Sequence, residues 1–312
     1  MDEIRYALVA GAGAIGSAVA AAIHKARPGA VRLLADGRRA EALARDGLSV
    51  NGERLDLKVL PAGRAPAPGD EPGLVLVCVK HHQLAAAIRD LALCVGPGTL
   101  ILSLMNGIDS EKDLRATFGE DRVLDAMILA IDAVREGNAT NFTVGGTVHF
   151  GEDRNPPGAW SPRVDRIAEF FDRCGVRYKV PQDMVHAMWF KLMVNVGMNP
   201  ASAILRAPYS SFQQYPEARN VMLAAMGELI EISKVLGTGL TEEDIGIWDR
   251  TLAGLSPSGK SSMLQDVEAH RKTEVELFAG TVVRLGREAG VATPVNALLF
   301  DMIRTIEKGY GT

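Results

Sequence analysis

Short apolar runs alternate with helical patterns over the first hundred residues of the chain. Continuous apolar runs are typical of strands that are buried on both faces, as in a parallel sheet covered by helices. Such runs occupy residues 5–10, 31–35, 74–79 and 98–105. Helical patterns lie between them, over residues 14–26, 38–46 and 82–93. The alternation predicts an α/β fold with a Rossmann-like, doubly wound sheet.

The pattern changes after this alternation. Residues 48–60 predict a β-hairpin with Asn51-Gly52 as its turn, and a stretch rich in proline and glycine follows. Further along, the predicted elements are antiparallel strands, a helix and a last short strand, over residues 141–150, 162–174 and 176–181. Beyond them, helical patterns dominate, over residues 183–204, 216–236, 241–254, 262–289 and 294–308. The sequence therefore predicts a Rossmann domain over 1–181 and an all-helical domain over 182–312.

Length and composition agree with a two-domain soluble enzyme. The chain has 312 residues, 47% of them hydrophobic, and a net charge of −4. This balance provides no basic field for nucleic acid or a membrane surface, and no apolar run reaches the length of a membrane span. The acidic start resembles no signal or transit peptide. Three scattered cysteines and six histidines have no disulfide or metal spacing, so we expect a cytoplasmic protein without a metal site.

A glycine-rich loop follows the first predicted strand and precedes the first predicted helix. Gly11, Gly13 and Gly16 have the spacing G-x-G-x-x-G. In dinucleotide sites these glycines permit a tight turn, a close approach of the pyrophosphate and close packing of the helix. The helix start supplies free N–H groups to the phosphates. The predicted cofactor loop consists of Gly11, Ala12, Gly13, Ala14, Ile15 and Gly16.

The end of the second predicted strand gives two opposing signals about the cofactor. Asp36 lies where an acidic residue binds the adenosine ribose diol of NAD. Arg38 and Arg39 follow and could hold the extra phosphate of NADP, or they belong to a solvated helix start. NADP is the predicted cofactor, and NAD stays open because of Asp36.

Two polar residues follow the third and fourth predicted strands of the sheet. Lys80 and Asn106 come at carboxyl ends of strands, where open α/β sheets bind their ligands. A surface lysine at a strand end is the alternative interpretation of Lys80.

The helical half contains a polar row on an otherwise apolar helix. Lys191, Asn195 and Asn199 are spaced four residues apart, so they share one face. A lysine buried in such a place has proton transfer as one explanation. The alternative is a lysine that extends to the surface beside structural asparagines.

A third polar group lies in the predicted helix over 262–289. Ser262 and Glu274 are twelve residues apart and are expected on roughly one side of that helix. Asp266 is expected to cap the helix or to pair with His270 or Arg271.

Taken together, these segments resemble the ketopantoate reductase (2-dehydropantoate 2-reductase) family over nearly the whole chain. The similar segments are GAGAIG, CVK at 78–80, NGI at 106–108, WFKLMVNVGMNPASAI and SSMLQDVEAHRKTEVELFAGTVVRLGREAGVATPVN. The last two are much more specific than the glycine loop. The resemblance implies reduction of 2-dehydropantoate to (R)-pantoate with NADPH, on the route to pantothenate and coenzyme A.

The resemblance also implies roles for individual residues. Lys191 would be the general acid, and Glu274 would bind the substrate and help to set the proton of the lysine. Asn195, Asn199 and Ser262 would hold the substrate. The cofactor side would be lined by Lys80 and Asn106, and Asn106 is also predicted to contact the substrate.

One feature departs from the family pattern. Family members usually have ARG at the end of the second strand, with the arginine on the 2′-phosphate, whereas this chain has ADG with Asp36. A reductase of another 2-keto acid and a non-catalytic dinucleotide sensor are the alternative functions. The expected partner is a small 2-keto acid, and pairing of the helical domain with a second copy in a homodimer is left open.

Overall fold

The computed structural model describes residues 3–137 and 139–311. These residues fall into two compact units, of which the first ends at Met184 and the second begins at Val185. The strands of the described chain all belong to the first unit, and the second unit is helical.

The first unit is built around a large sheet and a small one. The strands are β1 (Ala7–Ala10), β2 (Val31–Ala35), β3 (Leu48–Val50), β4 (Glu53–Leu55), β5 (Lys58–Pro61), β6 (Leu74–Val77), β7 (Leu100–Ser103), β8 (Val123–Ile131), β9 (Val134–Glu136), β10 (Ala139–Asn141), β11 (Gly145–Gly151) and β12 (Tyr178–Lys179). The helices of this unit are α1 (Ala14–Ala26), α2 (Gly37–Asp46), α3 (Leu84–Leu91), α4 (Ser110–Phe118) and α5 (Pro162–Arg173).

The large sheet has the order β12-β11-β8-β7-β6-β1-β2-β5. The six strands from β8 to β5 run parallel to one another, and β11 is antiparallel to β8. Within these six, the order is that of a doubly wound dinucleotide-binding sheet, with β1 at the centre. The predicted α/β fold class is therefore confirmed.

Alternate side chains of β1 enter two separate cores, one on each face of the sheet. Val9 packs in a cluster with Val19 of α1 and Phe171 of α5. Its neighbour Leu8 packs in another cluster with Leu91 of α3. Because both faces are covered, the central strands can be apolar without interruption, as the sequence pattern indicated.

The small sheet has the order β4-β3-β10-β9. The predicted turn at Asn51-Gly52 is confirmed, since β3 and β4 are antiparallel around it and both turn residues have positive φ. The prediction that the hairpin extends to residue 60 is wrong, because β5 leaves it and pairs in parallel with β2. β10 pairs in parallel with β3 on one side and antiparallel with β9 on the other. The elements α4, β8 and β9 were not predicted from the sequence pattern.

The second unit is a set of packed helices. They are α6 (Met184–Leu205), α7 (Tyr209–Gln214), α8 (Pro216–Leu236), α9 (Glu242–Ala253), α10 (Ser262–Glu268), α11 (Ala279–Ala289) and α12 (Pro294–Lys308). α6 continues through Pro200 as one helix, and its apolar residues Leu192, Met193 and Val196 are fully buried. No helix in the described part of the chain is long and apolar enough to cross a membrane.

The predicted continuous helix over 262–289 is wrong. α10 ends at Glu268, His270 has a left-handed φ of 51°, and a short 3-10 turn, Val275–Leu277, precedes α11. The carboxylate of Glu307 in α12 stabilises the break. It accepts from the backbone amide of Thr273 at 2.8 Å and from the Thr273 hydroxyl at 2.7 Å. Such bonds compete with helical backbone bonds and override a local helical pattern.

Candidate active site

The glycine loop turns directly over the end of strand β6. Gly11 has a φ of 101°, and a Cβ there would lie 2.7 Å from the carbonyl carbon of Cys78. A Cβ on Gly16 would lie 2.1 Å from the carbonyl oxygen of Gly11. These two glycines are therefore required by the path of the chain itself.

Gly13 differs from the other two glycines because its surroundings are open. A Cβ there would meet only the carbonyl oxygen of Cys78, at 3.9 Å. Gly13 is the N-cap of α1 without a side-chain cap, and the first turn of α1 contains no acidic residue. Free amides at a helix start, reached through an open glycine, fit the phosphates of a dinucleotide.

The end of β2 presents charged side chains of both signs. Asp36 is the exposed N-cap of α2, and its carboxylate makes no capping bond. Arg38 is also exposed, whereas Arg39 is half-buried and donates to the carbonyl oxygen of Ala12 at 3.1 Å. The two arginines of this segment thus lie in different surroundings, which their adjacent positions in the sequence do not indicate.

A further arginine reaches the same carbonyl oxygen from the small sheet. Arg135 of β9 donates from Nη1 to Ala12 at 2.6 Å and from Nε to the carbonyl oxygen of Gly137 at 3.0 Å. This contact was not predicted from the sequence, because Arg135 lies 123 positions after Ala12, outside every recognised motif. Its position depends on the pairing of β10 with β3, which no local pattern predicts.

Lys80 and Asn106 follow the neighbouring parallel strands β6 and β7. Their strands end at the same edge of the sheet as β1, which leads into the glycine loop. Lys80 is exposed, and its amide donates to Oε1 of Gln83 at 3.2 Å. Asn106 is half-buried. The β2 end and the β6–β7 ends thus lie on opposite sides of the glycine loop.

A buried carboxyl group lies in the first turn of α4, five residues after Asn106 in the sequence. Glu111 is 3% exposed and accepts a hydrogen bond from the hydroxyl of Ser110 at 3.0 Å. The Ser110 hydroxyl is also hydrogen-bonded to Ser103, the last residue of β7, at 2.7 Å. Burial raises the pKa of Glu111 to about 8. A protonated Glu111 can also donate, so this chain of side chains helps to fix the turn after β7.

The polar row of α6 is present on an unbroken helix. Lys191 and Asn195 are half-buried and Asn199 is 5% exposed. Nδ2 of Asn199 donates to Oδ1 of Asn195 at 3.1 Å. Consecutive members of the polar row are one helical turn apart, so the row lies on one face of a mostly apolar helix.

Asn199 also connects this row to the start of α10. Its Oδ1 accepts from the hydroxyl of Ser262 at 3.0 Å and from the amide of Met263 at 3.2 Å. The neighbouring Ser261 caps α10 by accepting from the amide of Leu264 at 3.2 Å. Ser262 is exposed while Asn199 is buried, so Asn199 holds in place a hydroxyl that is open to solvent.

Glu274 is not on the same helix as Ser262, in contrast to the prediction from their spacing. It is the half-buried residue before the 3-10 turn Val275–Leu277, and its carbonyl accepts from the amide of Leu277. Asp266 pairs with Arg271, one of its two predicted partners, through a 2.8 Å hydrogen bond. The break in the helix, rather than helical periodicity, sets the position of Glu274.

Comparison with known proteins identifies the family. The family model described as ketopantoate reductase PanE/ApbA matches residues 7–155, and the model of its C-terminal part matches residues 183–307. A 2-dehydropantoate 2-reductase from Halobacterium salinarum is 30% identical over 306 residues, which cover 96% of this chain and 98% of that protein. The chain belongs to the ketopantoate reductase family.

Solved structures support the same fold for this ketopantoate reductase family member. A complex of D-mandelate dehydrogenase with NADH and anilino(oxo)acetate has a TM-score of 0.87 at 21% identity, covering 98% of this chain and 100% of that chain. A ketopantoate reductase from Ralstonia eutropha has a TM-score of 0.82 at 24% identity, with the same coverage. The family is one of oxidoreductases, and the two units described above correspond in order to its two family models.

Proposed function

We propose that the protein reduces 2-dehydropantoate to (R)-pantoate with NADPH, a step in the formation of pantothenate and coenzyme A. Family membership over nearly the whole chain and the names of its relatives support the reaction class. The observation that carries the proposal is the polar row of α6, formed by Lys191, Asn195 and Asn199. The last of these accepts a hydrogen bond from the hydroxyl of Ser262.

The glycine loop supports the cofactor part of the proposal. The amides at the start of α1, reached through Gly13, would bind the pyrophosphate. Lys80 and Asn106 would line the cofactor site on the β6–β7 side, with Asn106 also contacting the substrate. The bound nicotinamide would supply the hydride, so the protein contributes position, charge and a proton.

Lys191 is the general acid in this proposal. When hydride adds to the ketone carbon, the C=O double bond becomes a C–O single bond and negative charge develops on oxygen. An ammonium group about 3 Å from that oxygen stabilises the charge and transfers a proton to it, which gives the hydroxyl of the product. Lys191 is left neutral and regains its proton from solvent.

The other polar groups orient the substrate. Ser262 and Asn195 would hold its carboxylate and hydroxyl, and Glu274 would hydrogen-bond the substrate and influence the proton of Lys191. Asn199 would act mainly through Ser262 and Asn195, because its side chain already bonds to both. The joint presence of these groups favours an enzyme over a dinucleotide sensor, which needs only the glycine loop.

Reduction of another 2-keto acid with NADH is the second candidate function. The observation that favours it is the exposed Asp36 at the end of β2, which suits a free ribose diol. A D-mandelate dehydrogenase bound to NADH and anilino(oxo)acetate is similar in structure. That likeness, at 21% identity, concerns the fold, whereas the sequence relatives are 2-dehydropantoate 2-reductases.

A panel of 2-keto acids assayed with NADPH and with NADH tests both candidates. We expect the highest kcat/KM with 2-dehydropantoate and NADPH. A higher kcat/KM with phenylglyoxylate or a branched 2-keto acid would replace the proposed substrate, and no turnover with any keto acid would overturn the proposed enzyme.

A further inference from the structure

Two arginines from different parts of the first unit converge on one backbone oxygen. The carbonyl of Ala12 accepts from Nη2 of Arg39 at 3.1 Å and from Nη1 of Arg135 at 2.6 Å. Both guanidinium groups are half-buried. Burial and, in second place, the charge of Arg135 lower the pKa of Arg39, as expected for two like charges close together.

The position of this pair indicates which part of a dinucleotide it would meet. Arg39 reaches Ala12 from α2, which begins directly after the end of β2. In doubly wound sheets, the residue at the end of the second strand binds the 2′-oxygen of the adenosine ribose. The pair therefore lies on the ribose side of the glycine loop, whereas the pyrophosphate would meet the amides at the start of α1.

We propose that Arg39 and Arg135 together bind the 2′-phosphate of the adenosine ribose, the group that distinguishes NADPH from NADH. The proposal deepens the proposed function and rests on it only in taking a nicotinamide dinucleotide as the cofactor. A guanidinium group has five N–H donors, so an arginine that donates to a backbone oxygen can also form charge-assisted hydrogen bonds to a phosphate. A phosphate dianion would also relieve the repulsion between the two cations.

The pair compensates for the acidic residue at the end of β2. Asp36 is exposed and makes no capping bond, so its carboxylate can turn towards solvent while the phosphate binds to the arginines. Arg38 is exposed and adds only a screened charge. An NADP site can thus exist in this chain without an arginine at position 36.

Calorimetric titration of the full chain with two nucleotides that differ only in the 2′-phosphate tests the proposal. The probes are adenosine 2′,5′-bisphosphate and 5′-AMP. We expect the wild-type protein to bind the bisphosphate at least about tenfold more tightly, since charge-assisted bonds to phosphate are strong. Arg135→Ala and Arg39→Ala should each remove most of this preference, and Arg135→Lys should retain part of it.

Arg54→Ala is the matched control. Arg54 is an exposed arginine of β4 in the same small sheet, and its Nε donates to Asp56 at 3.0 Å. This variant should keep the wild-type preference. An equal loss of affinity for both nucleotides in Arg135→Ala would overturn the proposal, because Arg135 would then only support the glycine loop. A wild-type protein without preference would overturn it as well. Neither result depends on which keto acid is reduced, so the proposed substrate can fail independently.

Discussion

The two units present their candidate site groups in different ways. In the first, the glycine loop offers backbone amides, and side chains from α2 and β9 surround it. In the second, a row of side chains on α6 provides an ammonium group and amides, and Asn199 fixes a serine from another helix. The amides of the glycine loop are accessible because glycine has no side chain, so substitutions in this loop act by adding atoms. The row on α6 depends on particular ammonium and amide groups, so substitutions in this row act by removing those groups.

The largest expected effect comes from removing the ammonium group of the second unit. Lys191→Ala should lower kcat by at least about a hundredfold, because it removes both the proton donor and the charge next to the developing oxyanion. The affinity for NADPH, measured by fluorescence titration, should stay nearly unchanged. A variant that retains more than half of the wild-type kcat would rule out this role for Lys191.

Alanine substitutions at two glycines of the loop should distinguish an effect on cofactor affinity from an effect on stability. Gly13→Ala should leave the melting temperature nearly unchanged, since the new Cβ is 3.9 Å from its nearest neighbour, yet weaken cofactor binding by about tenfold or more. Gly16→Ala is the contrasting variant. Its Cβ would lie 2.1 Å from the oxygen of Gly11, so it should cost roughly 1–3 kcal/mol of stability. Similar melting temperatures for both variants would contradict the described packing of the loop.

Substitutions in the Asn199–Ser262 pair should raise KM for the keto acid by about tenfold each, because each removes or displaces a hydrogen bond to a charged substrate. Only Asn199→Ala should also lower stability, by about 1–3 kcal/mol, since it leaves the amide of Met263 without its acceptor. Ser262 is exposed, so Ser262→Ala should unfold like the wild type. If KM is unchanged in both variants, the substrate binds elsewhere.

The last expected effect concerns stability alone and is a pH dependence of the free energy of unfolding in the first unit. The pKa of Glu111 is about 8 in the folded chain, against an ordinary value near 4.5. Between these values the folded state binds more protons than the unfolded state, so stability falls as the pH rises from about 5 to 8. Glu111→Gln should remove this fall, which we expect to be on the order of 10 °C in melting temperature.

Asp113→Asn is the control for this measurement, because Asp113 lies exposed on the same helix. Parallel melting curves of the wild type and Glu111→Gln across this pH range would show that the carboxyl group does not titrate as described.

Local patterns predicted the elements of both units to different extents. α1 and β2 begin and end where the sequence indicated, because glycine and proline delimit them and their residues are apolar. The predicted polar row is present on α6 because residues four positions apart share one face of an intact helix, however that helix packs. The helix after Ser262 was predicted wrongly, since the contact of Thr273 with Glu307 joins segments 34 residues apart. The role of Arg135 was missed for the same kind of reason.

The pairing of β3 with β10 also has a consequence for the order of folding. The amide of Phe142, next to β10, donates to Asn51, 91 residues earlier, so this small sheet closes a long loop of chain. Closing such a loop costs entropy before its contacts form, and non-local pairing slows folding. During synthesis, Arg135 reaches Ala12 only after most of the first unit has left the ribosome. We therefore expect pulse-labelled hydrogen exchange to protect the amides of β1 and β6 before those of β3 and β10.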